Sequence, residues 1–216
     1  MAVNRSSSVA GVRIPDSAIA KQATELLLEH GTEFLYNHSL RVFVFASLNG
    51  QRRQLAYDGE LLYVSAVFHD LGLTPRYSSA DKRFEVDGAN AARSFLEGHG
   101  LGPSALQRVW DTIALHTTIG IAEYKEPEVA LLYAGVGLDV MGEGYHELPE
   151  AERAAIVQAF PRAGFKQQII PTFFEGFKHK TDTTFGNIKA DVCAYMMLGF
   201  QRKDFCQCIL HSPWSE

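Results

Sequence analysis

Three cysteines, Cys193, Cys206 and Cys208, are too few and too clustered to build a disulfide framework in a 216-residue chain. Cys206-Gln207-Cys208 is too short for a CxxC redox pair and lacks a second pair for zinc, so reduced thiols are expected. Basic excess is missing as well. Lys and Arg number 20 against 25 Asp and Glu, a net charge of -5 that argues against a duplex nucleic-acid binder. A small anionic substrate stays open, because a metal can supply local positive charge. No run of 18 apolar residues exists, so no membrane span is expected. The polar start, Met1 to Ser8, has no apolar signal core, so the expected compartment is the cytoplasm. No glycine-rich phosphate cradle is present.

Convincing strands are also missing. Short β-rich runs such as Val42-Phe43-Val44-Phe45 sit inside longer helical patterns. What is there is helical periodicity in a 46% hydrophobic chain, enough for one domain with a sizeable core. Residues 1–15 read as a mobile leader closing at Pro15, and 16–216 as a single domain. Asp16-Ser17 caps a first helix that Gly31 ends. A second runs from about Glu33 to Leu48, stopped by Asn49-Gly50. A third opens near Asp58 and reaches His69, with Gly72 and Pro75 behind it. Residues 76–86 read as a loop, and Asp87 as the cap of a helix over 88–98. Pro103, Pro127 and Pro149 start further helices. Residues 165–177 and 184–198 complete an all-α fold of about eight or nine helices.

The most telling feature is the adjacent pair His69-Asp70 at the end of the apolar run Ala66-Val67-Phe68. Burying both polar groups unpartnered would cost several kcal/mol. A divalent metal removes that penalty by taking imidazole nitrogen and carboxylate oxygen as ligands. His38 and Asp139 lie in similarly apolar settings. His38, Val42 and Phe45 share one helix face, as do Leu132, Gly135, Val136 and Asp139. Gly135, costly in mid-helix, suggests space beside a metal or substrate one turn below Asp139. His69 and Asp70 diverge by about 100° on a regular helix, so both reach one ion if the helix ends there. One metal held by His38, His69, Asp70 and Asp139 is the expectation, and zinc, iron or manganese suit that set. His116, on a neighbouring helix, has three open roles: acid/base or substrate donor, second-metal ligand, or structural support.

In the order H…HD…D, these residues resemble the ligand pattern of the HD superfamily of metal-dependent enzymes, over roughly residues 17–200. More narrowly, Phe34-Leu35-Tyr36-Asn37-His38-Ser39-Leu40-Arg41 resembles the F-x-x-N-H-S-x-R stretch of the cyanamide-hydratase-like subgroup. Arg83-Phe84-Glu85 and His116-Thr117 echo further segments of it, and Thr183-Thr184-Phe185-Gly186-Asn187 is similar to a motif in related sequences. The resemblance implies an HD-domain helical bundle, a zinc ion and hydration of cyanamide to urea.

The expected chemistry is attack by a metal-activated water. Asp70 and His116 are the expected catalytic groups, and Asn37, Arg41 and Thr117 the substrate-binding ones. The substrate is a small molecule, and a homo-oligomer stays open. Phe34, Tyr36, Phe68, Phe84, Phe173 and Phe174 are available as pocket walls, with core packing their default role. The competing reading is a phosphohydrolase acting on a nucleotide or other phosphate ester, which would place cations such as Arg41, Arg76, Lys82 and Arg83 around the phosphate. A tight neutral cavity favours the nitrile, and a wider basic one the phosphate.

Overall fold

The computed structural model describes residues 8–211 and is built almost wholly of helices. Two short strands come first, β1 (Ser8–Val9) and β2 (Val12–Arg13), paired antiparallel with Val9 opposite Val12. Val9 and Val12 are buried in the main core. This corrects two expectations, a strandless chain and a mobile leader through residue 15. Residues 1–7 of that leader lie outside the described residues.

Ten α-helices follow among the described residues: α1 (Ala18–His30), α2 (Glu33–Arg52), α3 (Gly59–Phe68), α4 (Phe84–Gly98), α5 (Pro103–Ala114), α6 (Pro127–Met141), α7 (Glu150–Ala159), α8 (Phe165–Phe177), α9 (Lys189–Met196) and α10 (Phe205–Leu210). Local chemistry sets many of the ends. Ser17, Thr32 and Asp58 each accept backbone amides at a helix start. Pro103 and Pro127 occupy first-turn positions, where a missing N–H is harmless. No described helix is long and apolar enough to cross a membrane.

Several boundaries differ from expectation: the helix expected over 184–198 is α9, which opens only at Lys189 and ends at Met196, and two others have a clear packing or hydrogen-bond cause. α2 runs through Asn49-Gly50 to Arg52, because Gly50 is buried against Tyr57 and Leu131, where a Cβ would collide. Close packing, not a turn, requires that glycine. α4 starts at Phe84, and Asp87 is not its cap. The Asp87 carboxylate instead accepts Ser79 N–H at 2.9 Å and Lys180 Nζ at 2.7 Å.

α3 is the hub of the bundle. Every residue from Leu61 to Phe68 is buried, and the helix touches α1, α2, α4, α5 and α6. A helix apolar all round belongs inside, so its C-terminus delivers His69-Asp70 into the core. α2 and α6 form the most extensive helix pair. A Cβ on Gly135 would stand 2.5 Å from the Val42 carbonyl oxygen. Gly135 therefore lets two backbones approach, and the space expected there beside a metal is filled by α2.

Candidate metal centre

Three histidines and one aspartate meet where α2, α3, α5 and α6 converge. All are at most 2% exposed. His38 sits on α2. α3 ends at Phe68, and Asp70, with φ -105° and ψ 2°, has left the helix. That break lets consecutive side chains turn to one point, as the helix-end expectation required.

The imidazoles are oriented by one device. His69 Nδ1 donates to the Ala66 carbonyl at 2.7 Å, and His116 Nδ1 to the Ile113 carbonyl at 2.6 Å. Each ring sits just past a helix end and returns to a carbonyl of the last turn. His38 Nδ1 donates to Asp139 Oδ2 at 2.7 Å. With Nδ1–H committed, a ring that carries its proton there presents a bare Nε2 lone pair. His38 Nε2 lies 3.2 Å from His69 Nε2 and 3.5 Å from Asp70 Oδ2, and His69 Nε2 lies 3.4 Å from the same oxygen. His116 Nε2 is 3.7 Å from Asp70 Oδ1.

These acceptors need a cation. Neither Asp70 oxygen has a hydrogen-bond donor among the described residues, although both are buried. Such an orphan costs at least about 1–3 kcal/mol, more when charged. A tetrahedral ion at 2.0–2.2 Å from its ligands separates them by about 3.3–3.6 Å. The His38–His69–Asp70 triangle has nearly those edges, so this donor set fits a divalent ion.

Asp139 stands differently from its expected place on the metal. Its Oδ1 accepts Arg41 Nε at 2.8 Å and Arg162 Nε at 3.2 Å, and its Oδ2 accepts Arg41 NH2 at 2.8 Å besides His38. Both oxygens are occupied, so in this structure Asp139 faces His38, Arg41 and Arg162 and is not part of the His38–His69–Asp70 triangle. Burial works to raise its carboxyl, but the bonds from His38 and Arg41 together hold it below the usual carboxylate range. Burial lowers His69 and outweighs the opposing charge of Asp70. Burial, helped by His69, pushes His116 down to about 3, so its Nε2 is an acceptor at neutral pH.

Arg41 is also corrected as a substrate group. It is 1% exposed, and its NH1 donates to the Phe160 and Pro161 carbonyls at 3.2 and 2.8 Å. Arg41 and Arg162 both lie over the Phe165 ring. Arg162 and Phe165 were not singled out from the sequence, because nothing local marks a partner 23 residues from Asp139.

A cavity of about 80 Å³ opens on the centre. His38, His69, Asp70, His116 and Thr117 form its polar end, and Ile119, Tyr133, Val136, Val140, Met141, Phe173 and Ile188 line much of the remainder. Asn37 and Arg41 are not among its lining residues, and Phe173 is the single one of the six expected aromatics that is. No lysine or arginine lines it among the described residues. Thr117 Oγ1 donates to Glu85 Oε1 at 2.6 Å, and Lys189 Nζ reaches the same oxygen at 2.6 Å. Burial works to raise the Glu85 carboxyl, but the Lys189 charge and the hydrogen bonds from Lys189 and Thr117 hold it below the usual range. Glu85 was visible only within the Arg83-Phe84-Glu85 echo, and Lys189 carried no signal.

The HD domain family profile matches residues 35–160, more than half of the chain and the segment that carries His38, His69-Asp70, His116 and Asp139, so the protein belongs to the HD domain family. It is a metal-dependent hydratase or hydrolase of that superfamily, dependent on a divalent ion. Its likeness is more specific than the family. Over 164 residues, 74% of this chain and 73% of the relative, it is 28% identical to cyanamide hydratase DDI2 of Saccharomyces cerevisiae, and to the same extent to cyanamide hydratase DDI3 of that organism. The protein is thus cyanamide-hydratase-like within the HD superfamily.

Proposed function

We propose that this protein hydrates a small nitrile, with cyanamide converted to urea, at a zinc ion held by His38 Nε2, His69 Nε2 and Asp70 Oδ2. The cavity carries this reading. Sites for drug-sized ligands span about 300–1,000 Å³, whereas this one holds about 80 Å³ and has no lining cation among the described residues. It suits a neutral molecule of a few heavy atoms. A nucleotide needs more room and cationic partners, and Arg41 is committed to Asp139.

Bound there, a divalent ion supplies a Lewis acid, the kind of group that lowers the pKa of water from 15.7 to about 7. The chain does the rest. The apolar walls exclude bulk water and strengthen each polar contact inside. Addition of water across C≡N puts oxygen on carbon and one proton on nitrogen, giving the isourea. Its remaining O–H proton then passes to the same nitrogen, to leave urea with a C=O and two N–H bonds on the former nitrile nitrogen. Asp70 Oδ1 and His116 Nε2, 3.7 Å apart at the polar end of the cavity, are the acceptors that carry these protons. Asp139 keeps His38 in the tautomer whose Nε2 faces the site.

The experiment is direct. Purified protein with its metal content measured by mass spectrometry is given cyanamide, and urea is followed with ammonia as the control. Urea without ammonia, with one zinc per chain, is expected. Phosphate release from p-nitrophenyl phosphate or a nucleotide, with no urea, overturns the reading.

A further inference from the structure

Two lysines from the chain's last quarter reach into its interior. Lys180 bonds Asp87 and Lys189 bonds Glu85, each pair nearly inaccessible to solvent. The segment between them is braced by its own side chains. Thr183 and Thr184 bond the carbonyls of Lys180 and Thr181, Asn187 bonds those of Thr183 and Phe185, and its Oδ1 accepts Lys189 N–H at 3.1 Å. Arg83 adds a bond to the Phe185 carbonyl. The Arg83-Phe84-Glu85 and Thr183–Asn187 motifs are thus halves of one device that sets Lys189 against Glu85.

That device acts on the cavity. An ammonium at 2.6 Å keeps the Glu85 carboxylate ionised, and an ionised carboxylate only accepts. Thr117, which lines the cavity, has a single hydroxyl proton and gives it to Glu85. What Thr117 can offer a ligand is a lone pair and a methyl group. Asp70 Oδ1, which also lines the cavity, is a second acceptor, buried with no hydrogen-bond donor among the described residues. This end of the cavity therefore has acceptors in surplus.

We infer that Thr117, its hydroxyl direction set by the Glu85–Lys189 pair, is a specificity-determining acceptor that selects substrates bearing an N–H beside the reacting carbon. The inference rests on the reading that the cavity is the substrate site, and it deepens it. An aminonitrile meets the requirement, and an alkyl nitrile of equal shape does not. A buried group built to take a ligand's hydrogen discriminates against the analogue lacking it, since the acceptor is then left unpaired.

The test uses a pair that is not turned over. Urea and acetone are similar in shape, but only urea carries N–H. Dissociation constants of ¹³C-labelled urea and acetone are measured by NMR on the metal-loaded full chain. The wild type is expected to favour urea by about tenfold or more. Thr117→Val should bring the ratio near one, and Thr117→Ser should keep it. In Glu85→Gln the new amide can donate to Thr117, turning its hydroxyl toward the cavity and shifting preference to acetone. A merely structural role for the pair does not produce that reversal, and if Glu85→Gln fails to fold the Thr117 pair decides. Equal binding of both ligands by the wild type, binding of neither, or an unchanged ratio in Thr117→Val overturns the inference. Failure of hydration is read separately, as absence of urea formed from cyanamide.

Discussion

The Nε2 atoms of His38 and His69 lie 3.2 Å apart, and each ring has given its Nδ1 proton to another acceptor. Two imidazoles so placed, with Nδ1 as the proton-bearing atom of each, aim Nε2 lone pairs at one another, an arrangement that a shared cation stabilises. Chelation should therefore lower the melting temperature. A metal at a hundred times its Kd contributes about 2.7 kcal/mol, or about 5–10 °C for a chain of this size. Thermal unfolding with and without chelator, followed by zinc addition, checks this. An unchanged melting temperature in a preparation shown to have lost its metal would sink the assignment, as would His69→Ala retaining a full metal complement.

Asp139→Asn separates an orienting role from direct ligation. Arg41, 1% exposed, would lose its carboxylate partner, a change that costs about 3–5 kcal/mol when a buried pair is broken. Metal affinity should fall about 10–100-fold, as for loss of a hydrogen bond behind a ligand. Urea denaturation and a metal-binding titration measure the two effects. If the folded variant binds no metal at all, Asp139 is itself a ligand.

Glu85 titrates below its ordinary range because Lys189 and its hydrogen bonds outweigh burial. A depressed carboxylate contributes stability that is fully present above the unfolded value of about 4.5 and is lost as pH falls through the native value. Glu85→Gln should thus be less stable than wild type at pH 7, by about 3–5 kcal/mol for a buried pair, with the gap narrowing only below about pH 4.5. Unfolding midpoints of both proteins at pH 7, 5 and 4 provide the comparison. A gap that closes already between pH 7 and 5 contradicts it.

Gly135→Ala would bring a methyl group within 2.5 Å of the Val42 carbonyl oxygen. Overpacking at a close contact costs about 1–3 kcal/mol, and α2 must move to relieve it. Since α2 carries His38, metal affinity should weaken along with stability. An alanine variant with wild-type stability would show that the helices have room to spare.

Helix existence was largely legible in the sequence, because caps and apolar spacing are local. Ser17, Gly31, Asp58 and Pro127 mark ends that the structure has. The misjudged boundaries have non-local causes. Gly50 reads as a stop, yet α2 continues past it because Tyr57 and Leu131 need a flat surface there. Asp87 reads as a cap, yet it meets a lysine 93 residues away. Of the residues singled out as candidates, His38, His69, Asp70, His116 and Thr117 face one cavity, whereas Arg41 and Asp139 pair behind it.

The amino-acid sequence alone determined that polar groups capable of holding a metal would be buried, because an apolar run ending in His69-Asp70 cannot leave them in water without exposing the run itself. Only the tertiary structure decided which of those groups share a point and which proton each carries. That division depends on the carbonyls of Ala66 and Ile113, on Arg41 and Arg162 around Asp139, and on Lys189 behind Glu85. Hydrogen-bond direction is a property of neighbours brought together by folding, and no periodicity along the chain encodes it.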